Sequence, residues 1–188
     1  MQEPEFEAAV ADDAWAFLRA NSTGSLRFGQ HLRDVRYVMA ADGRLILSVM
    51  VAMLEPAGLS LFVPGYEEGA MELSVTLEEF EERGAGGAMA DRWRVYHGEA
   101  PDVQWAIAEI DAARFHDRFV DGEAMVRSNP LVDSEASVCR EVNASRTDDL
   151  RAACAAVGVD VPNPVLVGID PLGWDIRATF GIIRIPPL

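Results

Sequence analysis

Val35-Arg36-Tyr37-Val38-Met39-Ala40-Ala41-Asp42-Gly43-Arg44-Leu45-Ile46-Leu47-Ser48-Val49 is a pair of β-rich runs joined by Asp-Gly. β-Branched and aromatic side chains suit a pleated, half-buried surface, and Asp-Gly supplies the backbone freedom of a tight hairpin turn. The stretch therefore reads as an antiparallel hairpin. Outward from it, Leu26 and Phe28 mark an earlier strand, and residues 59–63 and 71–77 mark two later ones separated by Pro64-Gly65. Arg92-Trp93-Arg94-Val95-Tyr96-His97-Gly98 reads as a sixth strand, with Gly98 and Pro101 closing it. Residues 103–115 fit two periods: Trp105 and Ile107 alternate, whereas Ile107, Ile110 and Arg114 recur at helical spacing. A strand returning along the others is the favoured reading. Six short strands in the first two-thirds of the chain predict a closed or nearly closed barrel.

Helical patterns flank these strands. Residues 4–20 carry Phe6, Val10, Trp15, Phe17 and Leu18 at helical spacing, with Pro4 in the first turn and Asn21 and Gly24 ending the element. After Pro130, Asp133 or Ser134 can cap a second helix, in which Cys139, Val142, Leu150, Ala153, Cys154 and Val157 recur before Gly158 stops it. A hairpin then turns on Asp170-Pro171-Leu172-Gly173, where Pro presets the backbone and Gly accepts a positive φ. Between the strands, the acidic run Glu78, Glu79, Glu81 and Glu82 and the stretch Gly84-Ala85-Gly86-Gly87 read as a solvated hairpin tip. A phosphate-cradling loop would open directly into a helix and carry a Lys. The domain boundary falls at Pro130, giving residues 1–129 and 130–188.

Composition narrows the functions. The 188-residue chain has a formal charge of −15, and its 16 basic residues are arginines. Nucleic acid and anionic membrane surfaces are poor partners for such a chain, because both are bound through an excess of cations. No apolar run approaches the length of a membrane helix, and Glu3, Glu5 and Glu7 stand where a signal peptide would be basic, so a cytoplasmic protein is expected. Cys139 and Cys154 fall on the apolar side of one helix, read as small buried hydrophobes, and cannot reach one another for a disulfide. His31, His97 and His116 have no metal-like spacing, and no nucleophile elbow occurs, so no catalytic residue and no metal ligand is assigned.

The order Arg36-Tyr37-Val38, Asp42-Gly43, Ser48 and the run 92–98 resembles the FMN-binding split barrels of the pyridoxamine-phosphate-oxidase-like type. The helix around Val142-Asn143-Ala144-Ser145-Arg146, the Val167-Gly168-Ile169-Asp170 to Gly173 hairpin and the terminal Arg184-Ile185-Pro186 resemble the C-terminal domain of the haem-utilisation branch. The resemblance implies an α+β fold: a mainly antiparallel split β-barrel with an N-terminal helix and a C-terminal α-β-β module. It also implies a homodimer whose cleft takes a small planar ligand, FMN or haem. Arg36, Ser48, Arg92 and Arg94 would then contact phosphate or propionate groups, and His97 would be the substitute haem ligand. The chain departs from that pattern in two places. Residues 49–55 offer no cation where relatives follow the third strand with phosphate donors, and the two histidine positions of the helical signature hold Glu141 and Arg146. The function expected is a ligand-binding split-barrel protein with an altered cofactor site. The alternatives are an interaction or regulatory protein with a decayed site, which the apolar run 49–54 would suit, and an FMN-dependent oxidoreductase or haem-degrading enzyme.

Overall fold

The computed structural model describes residues 3–102 and 104–188. They form two compact units, one taking the chain up to Arg94 together with Gly98–Ser128, the other Val95–His97 together with Asn129–Leu188.

The first unit opens with α1 (Glu3–Arg19) and continues through β1 (Thr23–Phe28), β2 (His31–Met39), β3 (Leu45–Val49), β4 (Leu59–Val63) and β5 (Met71–Phe80). After α2 (Ala85–His97) come β6 (Gln104–Phe115), β7 (Arg118–Asp121) and the short α3 (Gly122–Met125). The sheet runs β3-β2-β1-β4-β5-β6-β7, and an added β3–β6 pairing closes six antiparallel strands into a barrel. The hairpin on Asp42-Gly43 and the strand reading of residues 104–115 are as expected; Val103 lies outside the described residues.

Alternation explains the core. Val35, Tyr37 and Met39 point inward with Leu45, Leu47, Val49, Leu61 and Leu73, and α1 adds Ala14 and Leu18. The Tyr37 hydroxyl donates to the Leu18 carbonyl at 3.2 Å, and complete burial pushes the phenol far above its ordinary ionisation range. On β6 the inward set passes from Ala106, Ala108 and Ile110 to Ala113 and Phe115. The phase slips because Ser74 pairs with Ala112 and Val75 with Ile110, leaving Asp111 unopposed in a bulge. Before the bulge β6 pairs with β3; beyond it, the same edge pairs with β7.

In the first unit the segment around residues 84–98 departs from the expectation. Residues 92–97 are the end of α2, not a strand, and Gly84-Ala85-Gly86-Gly87 starts that helix rather than capping a hairpin. Polar Arg92 and Arg94 alternate with Trp93 and Val95, but Val95 is exposed, and the buried set is Ala90, Trp93 and Tyr96, three residues apart. That is a helical face. β5 meanwhile runs on through Glu78 and Glu79 to Phe80.

In the second unit α4 (Val132–Ser145) and α5 (Thr147–Ala156) replace the single helix expected, and β8 (Val165–Asp170), β9 (Gly173–Ala178) and β10 (Gly181–Ile185) form a sheet in the order β10-β9-β8. The module is thus α-α-β-β-β. The helix breaks at Arg146, where the Ser145 and Thr147 hydroxyls donate back to the Glu141 and Asn143 carbonyls. Such back-bonding bends a helix, and Asp148 and Asp149 then sit in the first turn of the next one, where negative charge is favourable. Val142, Leu150, Cys154, Leu166, Trp174 and Ile176 make this unit's own core.

Candidate functional site

The first unit holds a cleft of about 570 Å³ lined by Thr23, Gly24, Arg33, Asp34, Val35, Arg36, Ser48, Pro64, Gly65, Trp93, Glu99, Pro101 and Asp102. Its volume lies in the range usual for small-molecule sites. Strand register builds it: Thr23 pairs with Arg36 and Gly24 with Val35 across β1 and β2, so both strands end their pairing at the cleft.

Two residues expected to contact a ligand, Arg36 and Ser48, come together there. They are not in the same state. The buried Ser48 hydroxyl donates to the Asp102 carbonyl at 3.0 Å and accepts from the Asp102 amide at 3.2 Å, so it pins the chain just before β6. Arg36 is exposed; its carbonyl accepts from Trp93 Nε1 at 3.3 Å, and its guanidinium has no hydrogen bond or ion pair among the described residues.

The other expected residues lie on α2 and do not line the cleft. Arg92 Nε donates to the Met39 carbonyl at 2.8 Å. Arg94 grips Glu82 with two bonds of 2.6 and 2.8 Å and stacks over Trp105 at 5.3 Å. His97 ends α2, beside the Tyr96 ring, and belongs to the second unit.

Residues absent from the sequence reading complete the lining. Arg33 reaches both carboxylate oxygens of Asp102 at 3.0 and 3.1 Å and also touches the Met50 sulfur. Asp34 accepts from Ser25 Oγ at 2.7 Å, and Glu99 makes no bond among the described residues. Arg33 and Asp34 could have been suspected from their place beside Arg36 on one strand. Glu99 and Asp102 could not, because the run before them reads as a strand whereas the structure makes it the end of α2.

The donor set does not fit the dianionic phosphate of FMN. Such a group needs several cationic or hydroxyl donors. Among the described residues the lining supplies one uncommitted cation, Arg36, against the carboxylates of Asp34, Glu99 and Asp102. Nor does it fit haem iron, since among the described residues no His, Cys, Met or Tyr side chain lines the cleft to serve as an axial ligand. Among the described residues no cluster of three or more acidic, His or Cys side chains is placed to hold a metal ion.

A larger cleft in the same unit, about 740 Å³, runs past Arg27, Phe62, Tyr66, Glu72, Arg114 and His116. Size does not make it the better site. Both of its arginines are spent on Glu72, at 3.0 and 2.7 Å. Burial alone would raise the Glu72 carboxyl, but hydrogen bonds from Arg114 and Ser60 and the charges of Arg114 and Arg27 hold it below its ordinary value.

In the second unit the residues of the C-terminal resemblance perform structural work. Asn143 mimics a strand: its side-chain amide donates to the Leu166 carbonyl at 2.9 Å and its carbonyl accepts from the Leu166 amide at 2.8 Å. Arg184 bridges Asp170 at 2.5 Å and Asp175 at 2.7 Å, and Tyr96 also donates to Asp175 at 3.0 Å. Gly173 does not have a positive φ; a Cβ there would stand 2.7 Å from the Ile185 carbonyl oxygen and 3.1 Å from Arg184 Nε. Close approach, not turn conformation, requires that glycine.

Fold and cleft define a class: a split-barrel protein with an appended α+β unit. Comparison with protein-family models and with curated protein sequences finds no match. Among solved structures, the Agrobacterium tumefaciens protein Atu2129, of unknown function, superposes with a TM-score of 0.72 at 13% identity, over 95% of this chain and 87% of its own. That likeness shows the fold. A haem-binding protein from Mycobacterium smegmatis matches at TM-score 0.47 and 19% identity over 94% of this chain and 88% of its own. A candidate pyridoxamine 5'-phosphate oxidase from Listeria innocua matches at 0.45 and 14% over 57% of this chain and 98% of its own. Among the described residues no helix is long and apolar enough to cross a membrane.

Proposed function

We propose that this protein binds a small ligand in the Arg36 cleft of its barrel, on a split-barrel scaffold whose cofactor site has been altered. The observation that carries this reading is the uncommitted Arg36 guanidinium lining a cleft of about 570 Å³. A cation left without a partner among the described residues, in so acidic a chain, which carries −15 overall, is suited to a bound group rather than to surface pairing. Cytoplasmic residence and assembly as a homodimer belong to the same reading, following the resemblance to split barrels. Amide NMR with a fragment library tests it. Shifts should concentrate at Thr23, Gly24, Gly65 and Asp102 and weaken in Arg36→Gln; a library that leaves these amides unmoved refutes the reading.

A specific observation also favours a non-catalytic interaction protein. Of the cleft residues expected to contact a ligand, Ser48 is committed to the Asp102 backbone, as expected of a site that has turned from chemistry to structure.

A further inference from the structure

The Arg36 cleft contains charges of both signs, and their pairing differs from residue to residue. Arg33 is neutralised by Asp102, which it holds through both carboxylate oxygens. Asp34 is partly satisfied by the Ser25 hydroxyl. Two ionic groups are left with no bond among the described residues: the Arg36 guanidinium and the Glu99 carboxylate, both on exposed residues of the lining. These two do not pair with each other.

Each group selects a complement. A guanidinium offers planar paired donors that match a carboxylate, whereas a carboxylate only accepts and is best met by an ammonium or guanidinium donor. A dicarboxylate or phosphate would satisfy Arg36 but meet repulsion at Glu99 and Asp34. A diamine would meet the reverse conflict at Arg36. A neutral ligand would leave both charges to solvent and gain nothing from either. The ligand that satisfies the lining carries one carboxylate and one ammonium.

We propose that the cleft binds a zwitterion of the amino-acid or short-peptide class, its carboxylate on Arg36 and its ammonium on Glu99. This rests on the reading of the cleft as a ligand site and specifies what enters it. Discrimination arises in the same way as at other built polar sites, because the wrong ligand leaves a charged group without its partner.

Titration of the whole protein with four probes, followed by calorimetry and by the amides of Thr23, Gly24, Gly65 and Asp102, tests it. The probes are alanyl-alanine, its N-acetyl derivative, its C-terminal amide and FMN. Alanyl-alanine should bind best, and masking either charge should weaken binding by about tenfold or more, the loss expected for one charge-assisted contact. Arg36→Gln should abolish the advantage of alanyl-alanine over its amide, and Glu99→Gln its advantage over the N-acetyl form. Both changes are at exposed side chains, and an unchanged far-UV spectrum confirms that the variants are folded. Equal binding of the N-acetyl form and the zwitterion overturns the inference and leaves the ligand cleft standing, as does FMN shifting the cleft amides where alanyl-alanine does not. Cleft amides that ignore all four probes overturn both.

Discussion

Gly168→Ala should destabilise the second unit far more than one methyl group suggests. Gly168 lies on β8 where a Cβ would overlap the Tyr96 hydroxyl and stand 2.9 Å from Cζ and 3.0 Å from Glu135 Oε1. Its φ is not positive, so the cost is packing alone. To make room, Tyr96 must give up its 3.0 Å bond to Asp175, a carboxylate only 2% exposed. A hydrogen bond to a charged acceptor contributes about 1.5–3 kcal/mol, and overpacking a dense interior costs about 1–3 kcal/mol, so the expected loss is about 2.5–6 kcal/mol. Urea unfolding followed by far-UV circular dichroism and tryptophan emission, which includes Trp174 of this unit, measures it. Tyr96→Phe removes the overlapping oxygen while leaving the ring, so the double variant should recover about 1 kcal/mol relative to the sum of the singles. A Gly168→Ala protein within about 0.5 kcal/mol of the parent, or strict additivity in the double variant, refutes the reasoning.

Asn143→Ala removes both side-chain bonds to Leu166 and strands a backbone amide and carbonyl on β8; a loss of about 2–3 kcal/mol in the same unfolding assay is expected. Ser48→Ala should cost about 1–3 kcal/mol by leaving the Asp102 amide and carbonyl without their partner, and proteolysis should reach the 98–102 connection sooner. Glu72 is held below its ordinary value of 4.5, so its contribution is complete above that value in the unfolded chain and is lost as pH falls through the lower folded value. Glu72→Gln should therefore flatten the decline of stability below about pH 4.5, measured by unfolding midpoints across an acid series. Cys154 is fully buried and its thiol is pushed up by desolvation, whereas Cys139 is partly exposed. Iodoacetamide should alkylate Cys139 in the native protein and reach Cys154 only on unfolding, as peptide mass spectrometry would show.

Local chemistry made much of the barrel legible. The hairpin on Asp42-Gly43 and the inward set Val35, Tyr37, Met39, Leu45, Leu47 follow from turn geometry and two-residue alternation. The second unit's motif was legible as a pattern but not as a purpose. Asn143, Gly168, Asp170, Gly173 and Arg184 turn out to hold strand, helix and buried charge together, a role visible only when their partners are in place. Residues 92–98 misled because alternating Arg and apolar residues mimic a strand over four positions; the deciding spacing, Ala90 to Trp93 to Tyr96, starts outside that window.

The chain's own order of residues determined that β-strands would form, where the Asp42-Gly43 hairpin would turn, that apolar faces would alternate, and that the whole would carry strong negative charge. Only the tertiary structure decided which arginines are spent. Arg94, Arg92 and Arg33 find partners 12, 53 and 69 residues away in sequence, and Arg36 finds none among the described residues. A charge's availability depends on what folding brings within hydrogen-bond reach, and no local pattern encodes that distance.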